Sequence, residues 1–174
     1  MRLFSDSIAK RDGEYKRHAE RRHSGYIAGM SDVVIVGAGH AAGQVVTSLK
    51  QKKFAGQIRL LGDEAWYPYQ RPPLSKKYLA GKLPAERLYV KPPSFYADDN
   101  ISVHRETRVA AIDRAAQEVH CEDGSSYGYG QLVLATGSRP RKLPFDHDCR
   151  GVHYLRGIDD VDAILADMAK AKNL

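Results

Sequence analysis

Residues 32–43 read DVVIVGAGHAAG, and this stretch decides the fold. Positions 32–36 are mostly apolar and β-branched, the pattern of a short buried strand. Gly37-Ala38-Gly39-His40-Ala41-Ala42-Gly43 follows, then the helix-like run QVVTSLKQKK. Strand, glycine turn and helix in that order form the context of a dinucleotide-binding fingerprint. Gly37 permits the tight turn, and Gly39, lacking a Cβ, lets the backbone approach a pyrophosphate. The helix N-terminus then offers unpaired N–H groups and a partial positive charge. Ala42 takes the third fingerprint position, a permitted variant that packs the helix on the strand slightly less tightly. Taken alone, the pattern also fits any glycine-rich strand-to-helix turn. A second strand, 57–61, follows at βαβ distance, and Asp63 and Glu64 lie just past its end. They stand about twenty residues after the glycines, where a carboxylate accepts hydrogen bonds from an adenosine ribose. An acidic pair there repels a 2′-phosphate, so the site favours an unphosphorylated ribose.

The chain has 174 residues, enough for one packed domain. Hydrophobic and charged fractions of 43% and 28% are those of a globular protein and indicate neither disorder nor a membrane partner. The net charge of +6 is modest: it suits an acidic protein partner or nucleic acid, but most such excesses are solvated surface. Cys121 and Cys149 fall in no CxxC or metal-ligand spacing, so they read as reduced structural thiols of a cytoplasmic protein.

Residues 1–29 are more basic than acidic and lack both a sustained apolar period and the h-region of a secretory signal. They read as a disordered extension ahead of a domain spanning 30–174. Within it, the first helix should begin after Gly43, bury Val45, Val46 and Leu49, present Lys50, Lys52 and Lys53 to solvent, and end at Gly56. Pro68, Pro72 and Pro73 force an extended chain through Arg71 before a helix starts near Leu74-Ser75-Lys76. Leu88, Phe95 and Tyr96 should pack a short helical region. Lys82, Arg87 and Lys91 read either as a basic docking surface or as plain surface. Residues 102–105 fit a third parallel strand. Segments 107–113, 118–121 and 125–127 alternate and are separated by turn residues including Asp123-Gly124, the mark of an antiparallel meander. Residues 131–135 read as a buried parallel strand, ending at Thr136-Gly137 where open α/β sheets place their ligands. VHYL, 152–155, looks strand-like. The cluster Asp146, His147 and Asp148 lacks the further ligands of a metal site. Residues 158–170 form an amphipathic helix with Ile158, Val161, Ile164, Leu165 and Met168 on one face.

The succession GAGHAAG, LLGDE, YQRPPLSKKYLAGK and LVLATGSRPRKLP resembles the flavoprotein ferredoxin reductases. These are the NADH-dependent reductases of bacterial oxygenase systems, of putidaredoxin and rubredoxin type, within the pyridine nucleotide-disulfide oxidoreductase-like superfamily. The likeness covers about residues 31–170. It implies an α/β fold with a Rossmann-type parallel sheet that binds FAD and an antiparallel β-meander crossover. The chain ends before the second, NAD-binding Rossmann domain of that family. Carried over by residue, Gly37, Gly39, His40 and Ala41 would line the FAD pyrophosphate, with Ala42 also counted in the cofactor site, and Asp63 and Glu64 would hold the ribose. Arg71 and Lys76 would lie near the ribityl chain and flavin ring, with Lys76 the flavin-side cation. Val109 would touch the adenine through its backbone, while Ala135, Thr136, Gly137 and Arg156 would complete the site.

The resemblance further implies that NADH passes a hydride to FAD and that the flavin reduces a [2Fe–2S] ferredoxin or a rubredoxin-like acceptor. No side chain then serves as catalytic acid, base or nucleophile. Disulfide reductases of the same fold carry a cysteine pair after the second strand, where this chain has RPPLSK. The 174-residue chain alone is expected to be inactive and to hold FAD weakly. A non-catalytic nucleotide-binding module and an apoptosis-inducing-factor-like flavoprotein are the alternative readings.

Overall fold

The computed structural model of the chain describes residues 32–144 and 151–171. The expected N-terminal extension, the Asp146–His147–Asp148 cluster and Cys149 lie outside the described residues. β1 (Val33–Val36), β2 (Ile58–Leu61), β3 (Ile101–His104) and β7 (Gln131–Leu134) form one parallel sheet in the order β3-β2-β1-β7. Register is continuous from Val33↔Ile58 to Val36↔Leu61 on one side of β1 and from Val33↔Gln131 to Val36↔Leu134 on the other.

β1 is apolar at every position because both its faces are covered. Val33 and Ile35 pack with Ala42, Val46, Ile58, Leu60 and Tyr96 beneath α1 (His40–Gln51). Val34 and Val36 pack with Leu61, Val119, Cys121 and Tyr129 beneath the meander of β4 (Val109–Asp113), β5 (Glu118–Cys121) and β6 (Ser126–Gly128). The meander is antiparallel throughout, as its alternation required. Asp123 accepts hydrogen bonds at its turn from the Ser125 backbone N–H at 2.9 Å and hydroxyl at 2.5 Å. A third cluster of Tyr69, Leu74, Leu88, Ile158 and Val161 joins the proline loop to α2 (Ile158–Met168).

Several expectations need correction. α1 starts at His40, four residues early, because Gly39 already has the extended conformation of an N-cap. It ends at Gln51, and Lys53 rather than Gly56 turns the chain, with a φ of +54°. Val46 is buried, whereas Val45 and Leu49 are half-buried. Lys50 does not simply face out: its ammonium pairs with Asp98 at 2.7 Å and lies 4.5 Å over the Phe95 ring. The segment after Pro73 makes a single π-helical turn, Leu74–Tyr78. Leu88 and Tyr96 occupy separate 3₁₀ turns and separate clusters. β7 is an edge strand rather than a buried one: it pairs only with β1 among the described residues, and Leu134 is 61% exposed. Residues 152–155 run without strand pairing, and the apolar face of α2 is buried only at Ile158 and Val161, with Met168 exposed. No helix among the described residues is long and apolar enough to cross a membrane.

Candidate functional site

Parallel strands deliver their carboxyl ends to one edge of the sheet, and a cleft opens there. Its first lobe encloses about 470 Å³ and is lined by Gly37, Gly39, His40, Ala41, Asp63, Glu64 and Arg71, with Ala135, Thr136, Gly137 and Arg156 opposite. A second lobe of about 430 Å³ shares Gly37, Asp63, Glu64, Arg71 and Arg156 and adds Thr107, Arg108, Val109 and Arg139.

The turn between β1 and α1 forms the floor. Gly37 has a φ of +104°, and a Cβ there would stand 2.3 Å from the Ala135 carbonyl oxygen, so only glycine fits. Its N–H donates to the Leu61 carbonyl at 2.7 Å, and the Ala135 N–H donates to Val36 at 2.8 Å. These bonds bring the ends of β1, β2 and β7 together. α1 then begins at Gly39 with no side-chain cap and no acidic residue in its first turn. Its leading N–H groups therefore face the cleft with the positive end of the helix dipole unopposed.

Of the residues expected from the sequence, twelve stand on this cleft. Ala42 does not: it is wholly buried on the face of α1 that packs on the sheet and serves the core. Lys76 does not either; it is exposed on the π-helical turn and lines neither lobe. Asp63 is exposed at the cleft and makes no side-chain hydrogen bond or ion pair among the described residues. Glu64 is engaged: one carboxylate oxygen accepts from Arg71 Nη2 and the other from the Tyr69 hydroxyl, both at 2.5 Å. Arg71 Nη1 donates to Tyr69 Oη at 2.9 Å and to the Arg156 carbonyl at 2.6 Å. Burial, then the Glu64 hydrogen bond, pushes the Tyr69 phenol far above its usual range, so it stays a donor.

Sequence reasoning missed Gln70, Thr107, Arg108, Ser138 and Arg139 on the walls. Arg139 was visible in the RPR motif, whereas Thr107 and Arg108 carried no signal beyond standing next to Val109. Gly43 was also missed as a packing position: a Cβ there would lie 2.8 Å from Pro68 Cβ, so it lets the proline loop rest directly on α1. With Arg71, Arg108, Arg139 and Arg156 against Asp63 and Glu64, the second lobe is cationic on balance. Such a lining suits an anionic ligand. Cys121 is buried in the meander, away from the cleft, where burial pushes its thiol upward, so it offers no redox thiol to the site.

The chain is similar to known proteins. The chain is 45% identical to a ferredoxin–NAD(P)(+) reductase of Sphingomonas, over 79% of this chain and 33% of the relative. It is 45% identical to the putidaredoxin reductase of Pseudomonas putida, over 76% of this chain and 32% of that protein. The reductase in a crystal structure of a covalent putidaredoxin reductase–putidaredoxin complex superimposes with a TM-score of 0.74 at 43% identity, covering 79% of this chain and 34% of that one. The chain thus spans about a third of the length of the curated relatives it matches. The sequence model of the pyridine nucleotide-disulphide oxidoreductases matches residues 31–174, and with the glycine turn, the uncapped helix and the carboxylates after β2 all in place, the chain belongs to that family.

Proposed function

We propose that this cleft holds the ADP half of FAD, as the flavin-binding part of an NADH-dependent reductase that passes electrons to an iron–sulfur protein of ferredoxin or rubredoxin type. The observation that carries the reading is the uncapped start of α1 facing exposed Asp63 across a cleft at the carboxyl edge of the sheet. When bound, a flavin supplies the redox chemistry: it takes a hydride from a reduced nicotinamide and gives up electrons singly.

This chain's residues do the binding and orienting. The backbone N–H groups after Gly39, at His40 and Ala41, face the pyrophosphate, where helix dipole and orphan donors act together. Asp63 accepts from the adenosine ribose, and its charge disfavours a 2′-phosphate. Val109, in the second lobe, offers its backbone to the adenine. Ala135, Thr136 and Gly137 form the opposite wall, and Arg71 and Arg156 supply positive charge beside it. Because Lys76 stands outside both lobes, Arg71, which lines both, is the proline-loop cation that meets the ligand. The buried, unpaired Cys121 suits a reducing, cytoplasmic setting.

Equilibrium titration of the chain with ADP, and with FAD followed by flavin fluorescence, tests the reading. Saturable binding of ADP and displacement of FAD by ADP are expected. Failure of both ligands to bind would overturn it.

A further inference from the structure

Two adjacent carboxylates, Asp63 and Glu64, follow β2, and the structure treats them differently. Asp63 is exposed with no polar partner among the described residues. Glu64 has one oxygen on Arg71 Nη2 and the other on Tyr69 Oη. We propose that Glu64 is a positioning residue for Arg71 and not a second ribose acceptor: with Tyr69 it forms a lock that fixes one guanidinium at the cleft against the entry to α2.

The lock joins three separate segments. Glu64 belongs to the end of β2, Tyr69 and Arg71 to the proline loop, and the Arg156 carbonyl to the residue before the α2 N-cap. Arg71 Nη1 spends both of its N–H groups, on Tyr69 Oη and on Arg156 O. Nη2 spends one on Glu64, at 2.5 Å. A guanidinium has five N–H donors, so Nε–H and the second Nη2–H are left for a ligand. Tyr69 is only 2% exposed and supports the guanidinium carbon 4.9 Å from its ring. Gly157 closes the fit: a Cβ there would stand 3.3 Å from Tyr69 Oη and 3.5 Å from Glu64 Oε2. A planar guanidinium held in this way presents its remaining donors in one direction, which a lysine could not do.

The lock also changes the electrostatics. Glu64 neutralises Arg71 at contact distance, so Arg71 contributes directed hydrogen bonds to an anion more than net attraction. Removing the Glu64 charge therefore has two opposed effects. The cleft becomes more positive at long range, while the guanidinium loses the partner that aims it.

The lock itself is tested without ligand, by a double-mutant cycle in thermal unfolding of the chain. Glu64→Gln and Arg71→Met should each lower the midpoint, and the double variant should lower it little further than either single one. Additive losses would show no lock and overturn the proposal. The ligand half rests on the ADP reading above and uses ADP and 2′,3′-dideoxy-ADP as probes. Removing the ribose hydroxyls should weaken binding by the same factor in Glu64→Gln as in the unmodified chain, and by much less in Asp63→Asn. Glu64→Gln should bind ADP three- to tenfold more weakly at high salt and show a steeper salt dependence. If Glu64→Gln instead abolishes the ribose-hydroxyl effect, Glu64 is the ribose acceptor and the proposal fails. If the unmodified chain binds no ADP, the ADP reading fails and the unfolding cycle alone decides the lock.

Discussion

The two long helices among the described residues both start from a glycine N-cap but differ in the charge placed there. α2 enters through Gly157, and the backbone N–H groups of Arg156 and Gly157 both donate to Asp160 at 2.7 Å. Asp159, also in its first turn, accepts from Trp66 Nε1 at 3.0 Å, and Asp162 accepts from the Tyr78 hydroxyl at 2.8 Å. The positive end of α2 thus meets two carboxylates of its own first turn, while Asp159 and Asp162 tie the helix to the proline loop. α1 has no side-chain cap and no acid in its first turn. A glycine at the N-cap forgoes a few tenths of a kcal/mol relative to a capping side chain. In α1 the donors left open face a cleft whose opposite wall carries Arg71 and Arg156. On the function proposed above, the contrast separates a helix end that serves the fold from one kept open for a ligand.

The strongest way to break the contrast is to remove the turn that aims α1. Gly37→Ala puts a methyl group 2.3 Å from the Ala135 oxygen at a positive φ. Strain and overpacking together should cost ~2–5 kcal/mol, seen as a large fall in the unfolding midpoint with loss of ADP binding. Retention of a near-normal midpoint would show that the turn relaxes and does not define the cleft.

Next in size, Gly39→Asp makes α1 resemble α2. The Gly39 Cβ position has open space and an extended backbone, so aspartate fits there as a cap. Stability should hold or rise by a few tenths of a kcal/mol. ADP should bind at least tenfold more weakly, because an adjacent carboxylate repels the phosphates by ~1.5–3 kcal/mol. A stable variant with unchanged ADP affinity would mean the α1 terminus is not the phosphate site.

Asp160→Ala opens α2 instead. The unfolding midpoint should fall by about 3 °C, as expected for ~1 kcal/mol lost from a cap in a chain of this size, with ADP affinity altered less than in Gly39→Asp. The smallest effect is expected at the far end of α1. Lys50→Ala breaks an exposed pair with Asp98 and should leave ADP affinity within about twofold. Lys50 holds the Asp98 carboxyl below its ordinary value of 3.8, so the pair's small stabilisation is complete above that value and lost as pH falls below it. Acid titration of Lys50→Ala should therefore lack a small loss below about pH 4 that the unmodified chain shows.

Much of this arrangement was legible because it rests on local rules. Gly37, the β-branched run of β1, the alternation of the meander and the carboxylate after β2 each declare a backbone requirement within a few residues. The start of α1 was misplaced because Gly39 and Gly43 look alike in sequence, and only packing shows that the first caps the helix while the second lies against Pro68. Asp63 and Glu64 are equivalent as letters; their division of labour depends on Tyr69 and Arg71 returning from the proline loop and on Arg156, distant in the chain. The apolar run of β7 reads as buried, yet its burial depends on what lies beyond β1, which periodicity cannot report.

The account stands most directly on one comparison: the affinity of the chain for ADP against adenosine, measured by calorimetry in the unmodified protein and in Gly39→Asp. The account predicts that ADP binds the unmodified chain at least tenfold more tightly than adenosine and that Gly39→Asp erases this advantage while adenosine binding is kept. Equal affinities for ADP and adenosine in the unmodified chain, or an ADP advantage that survives in Gly39→Asp, would contradict it.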